Sequence, residues 1–170
     1  MKKKIISCIG PSAPNCSEEV YEFGIQLGHR MASAGYLIVQ GGRDGFMEAL
    51  CKGARKTATG QFVTIGILPG FKQNEANEWC DVVLPTGIGY ARNQMTVLAA
   101  DIVVAVAGGP GTMSEITYAM QFKKQTLCCT QFTGSAAFMA KEKEQFSFGD
   151  YLIPVDNLEN IMTTLQTLLP

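Results

Sequence analysis

A doubly wound α/β domain, built on one parallel sheet of about seven strands with helices on both faces, is predicted by three features of this 170-residue sequence. Short, continuously apolar runs alternate with longer stretches whose apolar residues recur at helical spacing, the pattern of repeated strand–helix units. The strand-like runs are apolar at successive positions, as expected of parallel strands buried on both faces. Three of them lead directly into glycine turns, and in such sheets the turns that follow strands open on one edge.

The elements follow in order. Lys4–Gly10 is the first strand. Ser17, followed by Glu18 and Glu19, supplies an N-cap and an acidic first turn for a helix to Ala34, with Val20, Phe23, Leu27 and Met31 on one face. Gly35 ends that helix, Tyr36–Gln40 is the second strand, and Gly41–Gly42 leads to a helix over Gly45–Lys56. Phe62–Leu68 is the third strand. A polar loop then precedes a short fourth strand, Asp81–Leu84. A helix is predicted over Tyr90–Ala100, a strand over Ile102–Ala107, a helix over Thr112–Lys124 and a strand over Thr126–Cys129. Ser135–Glu144 is read as helical. Leu152–Val155 contains Pro154, which suits an edge strand, and Asn157–Leu169 closes as an amphipathic helix. No shift in composition marks a linker, so residues 1–170 are read as a single domain.

Apolar residues make up 46% of the chain and charged residues 17%, which places it among globular proteins. Net charge is −1 with the cations scattered, and this argues against a nucleic-acid partner. No stretch approaches the roughly 20 apolar residues of a membrane helix; the longest run, Val97–Val106, is broken by Asp101. Nor does the N-terminus read as a signal peptide. Six cysteines without a CxxC pair, and His29 as the one histidine, give no metal site and suggest reduced thiols in a cytoplasmic protein.

The segment Gly108-Gly109-Pro110-Gly111-Thr112-Met113-Ser114-Glu115 carries the most chemistry. A strand, a glycine-rich turn and a helix start together let backbone N–H groups and the helix dipole meet an anion. Thr112-x-x-Glu115 equally fits a capping box, in which each side chain bonds the other's backbone. Gly41-Gly42-Arg43-Asp44-Gly45 is a second turn, suited to wall the same pocket. Arg92 falls in the first turn of its predicted helix, where its charge opposes the dipole. It is either a solvated surface cation or the partner of an anion or carboxylate. After the first strand, Gly10-Pro11-Ser12 departs from the G-x-G-x-x-G dinucleotide fingerprint, and no G-x-x-x-x-G-K-[ST] phosphate loop occurs. His29, within an amphipathic helix, gives no basis for triad catalysis.

Taken in order, Gly41-Gly42-x-x-Gly45-x-Met47, Arg92-Asn93 and Gly108-Gly109-x-Gly111-Thr112-x-x-Glu115 resemble the LOG (LONELY GUY) group of Rossmann-like proteins, many long labelled "possible lysine decarboxylase". The resemblance spans most of the chain. Ala107 stands where that group's enzymes carry Pro, and Asn93 where they usually carry Lys. With the short length, this is more similar to an uncharacterised subgroup that also resembles a molybdenum-cofactor carrier protein of algae. Decarboxylation would need a Schiff-base lysine that nothing marks.

The resemblance implies a nucleotide or phosphate site. If the chain is a phosphoribohydrolase of nucleoside 5'-monophosphates, Gly108, Gly109, Gly111 and Thr112 would hold the phosphate, and Gly10, Ser12, Gly41 and Gly42 would line the cleft. Glu115 would act on the sugar, with Arg92 orienting it or assisting the leaving base. If the chain is instead a carrier or sensor of a phosphorylated ligand, such as a nucleotide or the molybdenum cofactor, the same loops serve without turnover. Neither reading requires a metal or a further cofactor. A role in DNA handling, through a related fold, is a third and weaker reading. The resemblance also implies a homodimer or higher homo-oligomer, for which Met95, Met120 and Phe122 offer apolar helix surface.

Overall fold

The structure, a computed structural model, describes residues 2–57 and 63–170. Among the described residues there are seven strands: β1 (Ile5–Ile9), β2 (Leu37–Gln40), β3 (Thr64–Leu68), β4 (Val82–Pro85), β5 (Ile102–Val106), β6 (Thr126–Cys129) and β7 (Leu152–Val155). They form one sheet in the order β4-β3-β2-β1-β5-β6-β7 with every neighbouring pair parallel. Phe62, assigned to the third strand from sequence, lies outside the described residues.

Six helices among the described residues cover the sheet: α1 (Glu18–Ser33), α2 (Phe46–Arg55), α3 (Asn93–Leu98), α4 (Pro110–Gln121), α5 (Ser135–Lys141) and α6 (Leu158–Leu168). Ser17 caps α1 as expected, its Oγ accepting from Val20 N at 3.3 Å. Asn157 does the same for α6 through Asn160 N at 2.8 Å. One apolar cluster, with Leu27, Phe46, Leu50 and Leu165, packs α1, α2 and α6 on one face of the sheet; a second, with Val97, Ile116, Met120 and Met139, packs α3, α4 and α5 on the other. All five residues of β5 are buried, whereas β4 at the edge exposes Val82 and Leu84. Pro154 sits in β7, the opposite edge strand, where a missing N–H disturbs no inner ladder.

Helices α1 and α2 approach so closely that backbone meets backbone. A Cβ on Gly53 would lie 1.9 Å from the carbonyl oxygen of Ile25, and one on Gly28 would lie 2.2 Å from that of Leu50.

Three helices differ from expectation at their ends. The stretch predicted helical over Tyr90–Ala100 is a 3₁₀ turn over Gly89–Arg92 followed by α3. The helix expected from Thr112 begins two residues earlier at Pro110, whose ring fixes the φ that a first helical residue needs. α5 ends at Lys141 and gives way to 3₁₀ turns. Met120 belongs to the core, not to a free surface, and Phe122 is half-buried against that core, stacked on Tyr118 at 6.0 Å. Met95 does stay exposed, with Leu98 on the same helix. His29 is exposed on α1. Among the described residues all six cysteines are free thiols, no group of side chains could hold a metal ion, and no helix is long and apolar enough to cross a membrane.

Candidate functional site

Chain order reverses between β1 and β5: β2, β3 and β4 extend the sheet from β1, and β6 and β7 extend it from β5. At the carboxyl ends of parallel strands, such a reversal leaves a crevice between diverging loops. The turns after β1, β2 and β5 all border it. The resulting cleft holds about 780 Å³ of space, its open mouth included, and is lined by Gly10, Ser12, Gly41, Arg92, Gly109, Gly111, Thr112 and Glu115 among others.

The wall formed by the turn after β5 is held from behind. Ser135 N donates to Gly108 O at 2.8 Å, Ala136 N to Ala107 O at 2.9 Å, and Ser135 Oγ to Gly109 O at 2.8 Å. The turn's carbonyls are thus engaged by α5, while the first-turn N–H groups of α4 have no intrahelical acceptor. Cβ atoms on Gly109 and Gly111 would meet nothing within 4 Å, so their bareness leaves this wall open to a ligand. Gly108 is different: its φ is +87°, and a Cβ there would lie 2.2 Å from Thr112 Oγ1. Ala107 also has a left-handed backbone, with φ +48°. Proline, locked near −65°, does not fit that conformation.

The capping-box alternative does not hold. Gly109 is the N-cap of α4 and no side chain caps it, because Pro110 moves the helix start ahead of Thr112. Glu115 instead reaches Arg92, with Nη1 and Oε1 3.2 Å apart and both side chains 8% exposed. Nη1 also lies 3.5 Å from Thr96 Oγ1, and the buried Nε has no partner among the described residues. The surface-arginine alternative is therefore set aside. Burial raises the Glu115 carboxyl to about 7 although Arg92 pulls it down. Burial likewise lowers the affinity of Arg92 for its proton, against the opposing pull of Glu115, and nearby Arg43 acts in the same direction as burial.

Gly41 makes room for this pair, since a Cβ there would lie 2.5 Å from Arg92 Nη2. Gly42, expected on the cleft, lies behind it: its N donates to Gln40 Oε1 at 2.5 Å, and its O accepts from Asn77 N at 2.9 Å. Gly108 likewise sits to the side of the main cleft, on a neighbouring hollow. Gly10 borders the cleft, but packing alone demands a glycine there, because a Cβ would lie 2.4 Å from the Phe46 ring. Asn93 braces α3 against α4, donating to Ser114 Oγ at 2.8 Å, while Ser114 Oγ donates to Gly111 O at 2.7 Å.

Arg43, Met47, Asn15 and Tyr90 also line the cleft, and no motif singled out a role for their side chains. Gln40 is the one polar residue of β2, and a buried amide on a strand end beside Gly41 is the signal that could have found it. Tyr90, 78% exposed on the rim, carried no comparable signal.

Residues 3–161 match the model of the SLOG cluster4 family. The chain belongs to that family. An uncharacterized protein of Archaeoglobus fulgidus is 36% identical to this SLOG protein over 125 residues, covering 74% of this chain and 79% of its own. The molybdenum cofactor binding protein of the phototrophic bacterium Rippkaea orientalis has a similar structure, with a TM-score of 0.86 and 29% identity over 100% of this chain and 99% of that one. The molybdenum cofactor carrier protein of Chlamydomonas reinhardtii follows with a TM-score of 0.82, 27% identity and 99% coverage of both chains. These findings support the part of the expected resemblance that pointed to the carrier-like subgroup.

Proposed function

We propose that this SLOG protein carries or senses a small phosphorylated ligand, held between the turn after β5 and Arg92. The observation that carries this reading is a nearly buried Arg92 on a cleft that the first turn of α4, with its unpaired N–H groups, also borders. A guanidinium shielded from water favours an oxyanion, which accepts charge-assisted hydrogen bonds from it. In this reading the phosphate rests on the N–H groups of Gly111 and Thr112 and on the Thr112 hydroxyl. Arg43 and Arg92 offset its charge, while Gly10, Ser12, Gly41 and Tyr90 border the rest of the ligand.

The relatives named for the molybdenum cofactor make that phosphorylated cofactor a specific candidate as cargo. The cleft offers it no thiolate, because Cys8, at its floor, is fully buried and burial pushes its thiol up. Recognition would then run through the phosphate and the ring. Mass spectrometry of ligand released from the purified protein, with calorimetric titration of nucleoside monophosphates, tests the reading. A phosphorylated compound should be found or bound, and Arg92→Ala should weaken binding by about tenfold or more. The reading falls if nothing phosphorylated is released and no monophosphate binds below about 1 mM.

A second reading is N-glycosidic hydrolysis of a nucleoside monophosphate. One observation favours it: Glu115 borders the same cleft with its carboxyl raised to about 7, where it can exchange a proton at neutral pH. Release of free base by the parent, but not by Glu115→Gln, is the expected result; equal release by both removes this role. We also propose self-association through exposed Met95 and Leu98 on α3, for which the mass in solution by light scattering is the test.

A further inference from the structure

A second hollow adjoins the cleft on the other side of the turn after β5. It is lined by Asn15, Ser17, Glu19, Gln131, Phe132 and Thr133 together with the turn itself, and it holds about 1080 Å³, open mouth included. Asn15, Gly109 and Pro110 border both spaces, so the turn is a low ridge between two compartments of one groove.

The compartments differ in chemistry. Arg43, Arg92 and Glu115 line the first, and the two cations there suit a phosphate. Among the described residues of the second, Glu19 is the one ionisable side chain, so no cation there matches an anionic group. A carboxylate, two amides and two hydroxyls suit sugar hydroxyls and ring nitrogens instead. Phe132, half-buried with its ring edge-on to Phe23 at 5.1 Å, provides an apolar floor. On the ridge itself, the positions of Gly109 and Gly111 are bare.

We propose that the occupant is a two-part, phosphate-linked ligand of dinucleotide length. Its anionic linkage crosses the ridge over Gly109–Gly111, and one ring system lies in the arginine compartment beside Tyr90. An uncharged, hydroxyl-bearing half lies against Glu19 and Phe132. This rests on the reading of the site as a phosphorylated-ligand site and adds the length and chemistry of the second half.

Calorimetry with adenosine 5'-monophosphate and with two adenosines joined through a pyrophosphate separates the two claims. The dinucleotide should bind at least about tenfold more tightly, because linked groups share one cost of immobilisation. Thr133→Trp, which fills the second compartment, and Glu19→Ala, which removes its carboxylate, should each return the dinucleotide towards the affinity of the mononucleotide. Equal binding of the two probes, or a dinucleotide advantage that survives both substitutions, overturns this inference and leaves the phosphate site standing. If neither probe binds, both fall together.

Discussion

The guanidinium of Arg92 occupies the volume that a side chain at position 41 would take, with Nη2 2.5 Å from where a Cβ on Gly41 would stand. Two sequence motifs that lie far apart in the chain are thereby one device. The turn after β2 is bare so that the arginine can reach Glu115 beneath the turn after β5.

Gly41→Ala should therefore act through Arg92. The new methyl group pushes the guanidinium from its place beside Glu115, and affinity for a nucleoside monophosphate is expected to fall by about tenfold. Calorimetry checks the loss and circular dichroism checks that the fold persists. Undiminished affinity would show that Arg92 needs no space at position 41.

Glu115 gives the protein a predicted response to pH. Burial raises its carboxyl from 4.5 to about 7. A carboxyl with a raised folded-state pKa stabilises the fold in its protonated form, so its contribution is complete below pH 4.5 and is lost as pH rises through about 7. Glu115→Gln stays neutral throughout. Its Tm relative to the parent should rise between pH 4.5 and 7 and then level off. A neutral Glu115 also leaves the charge of Arg92 unopposed, so sulfate should bind more tightly below pH 7 than above it. A relative Tm that stays flat across this window would remove the shifted carboxyl from the account.

Ala107 holds a φ of +48°, a region that costs an L-residue roughly 1–2 kcal/mol. Ala107→Gly should raise stability by up to about 1 kcal/mol in urea denaturation, the relief being partly offset by the greater freedom of glycine when unfolded. Ala107→Pro should lower it by about 3 kcal/mol or more, because the ring cannot reach a positive φ. A tolerated proline would mean that the turn adopts the backbone of a P-G-G-x-G-T loop after all.

Much of the sheet was legible because each strand is a short apolar run bounded by its own local signals: Gly35 before β2, Gly41–Gly42 after it, and Pro154 on an edge. The same locality predicts Gly41, Arg92, Gly109, Gly111, Thr112 and Glu115 on one edge, and all six line the cleft. The Arg92–Glu115 pair joins elements 23 residues apart, and local pattern left both residues with adequate bland explanations. For Thr112 and Glu115 the spacing of a capping box competed with a proline two residues ahead, and proline at the first helical position prevailed. A glycine pair does not reveal which member faces the cleft, and it is Gly41 that lines it. Here Gln40 and Asn77, themselves distant in sequence, turn Gly42 inward.

The carbonyls of Ala107, Gly108 and Gly109 are all tied to the start of α5, so the turn that faces the cleft is braced from behind. A preorganised cradle loses little disorder on binding, and it has no loose hinge by which to open. In the proposed reading, release from such a site falls to a change of charge, and Glu115, with its carboxyl raised to about 7 beside Arg92, is the group placed to make one.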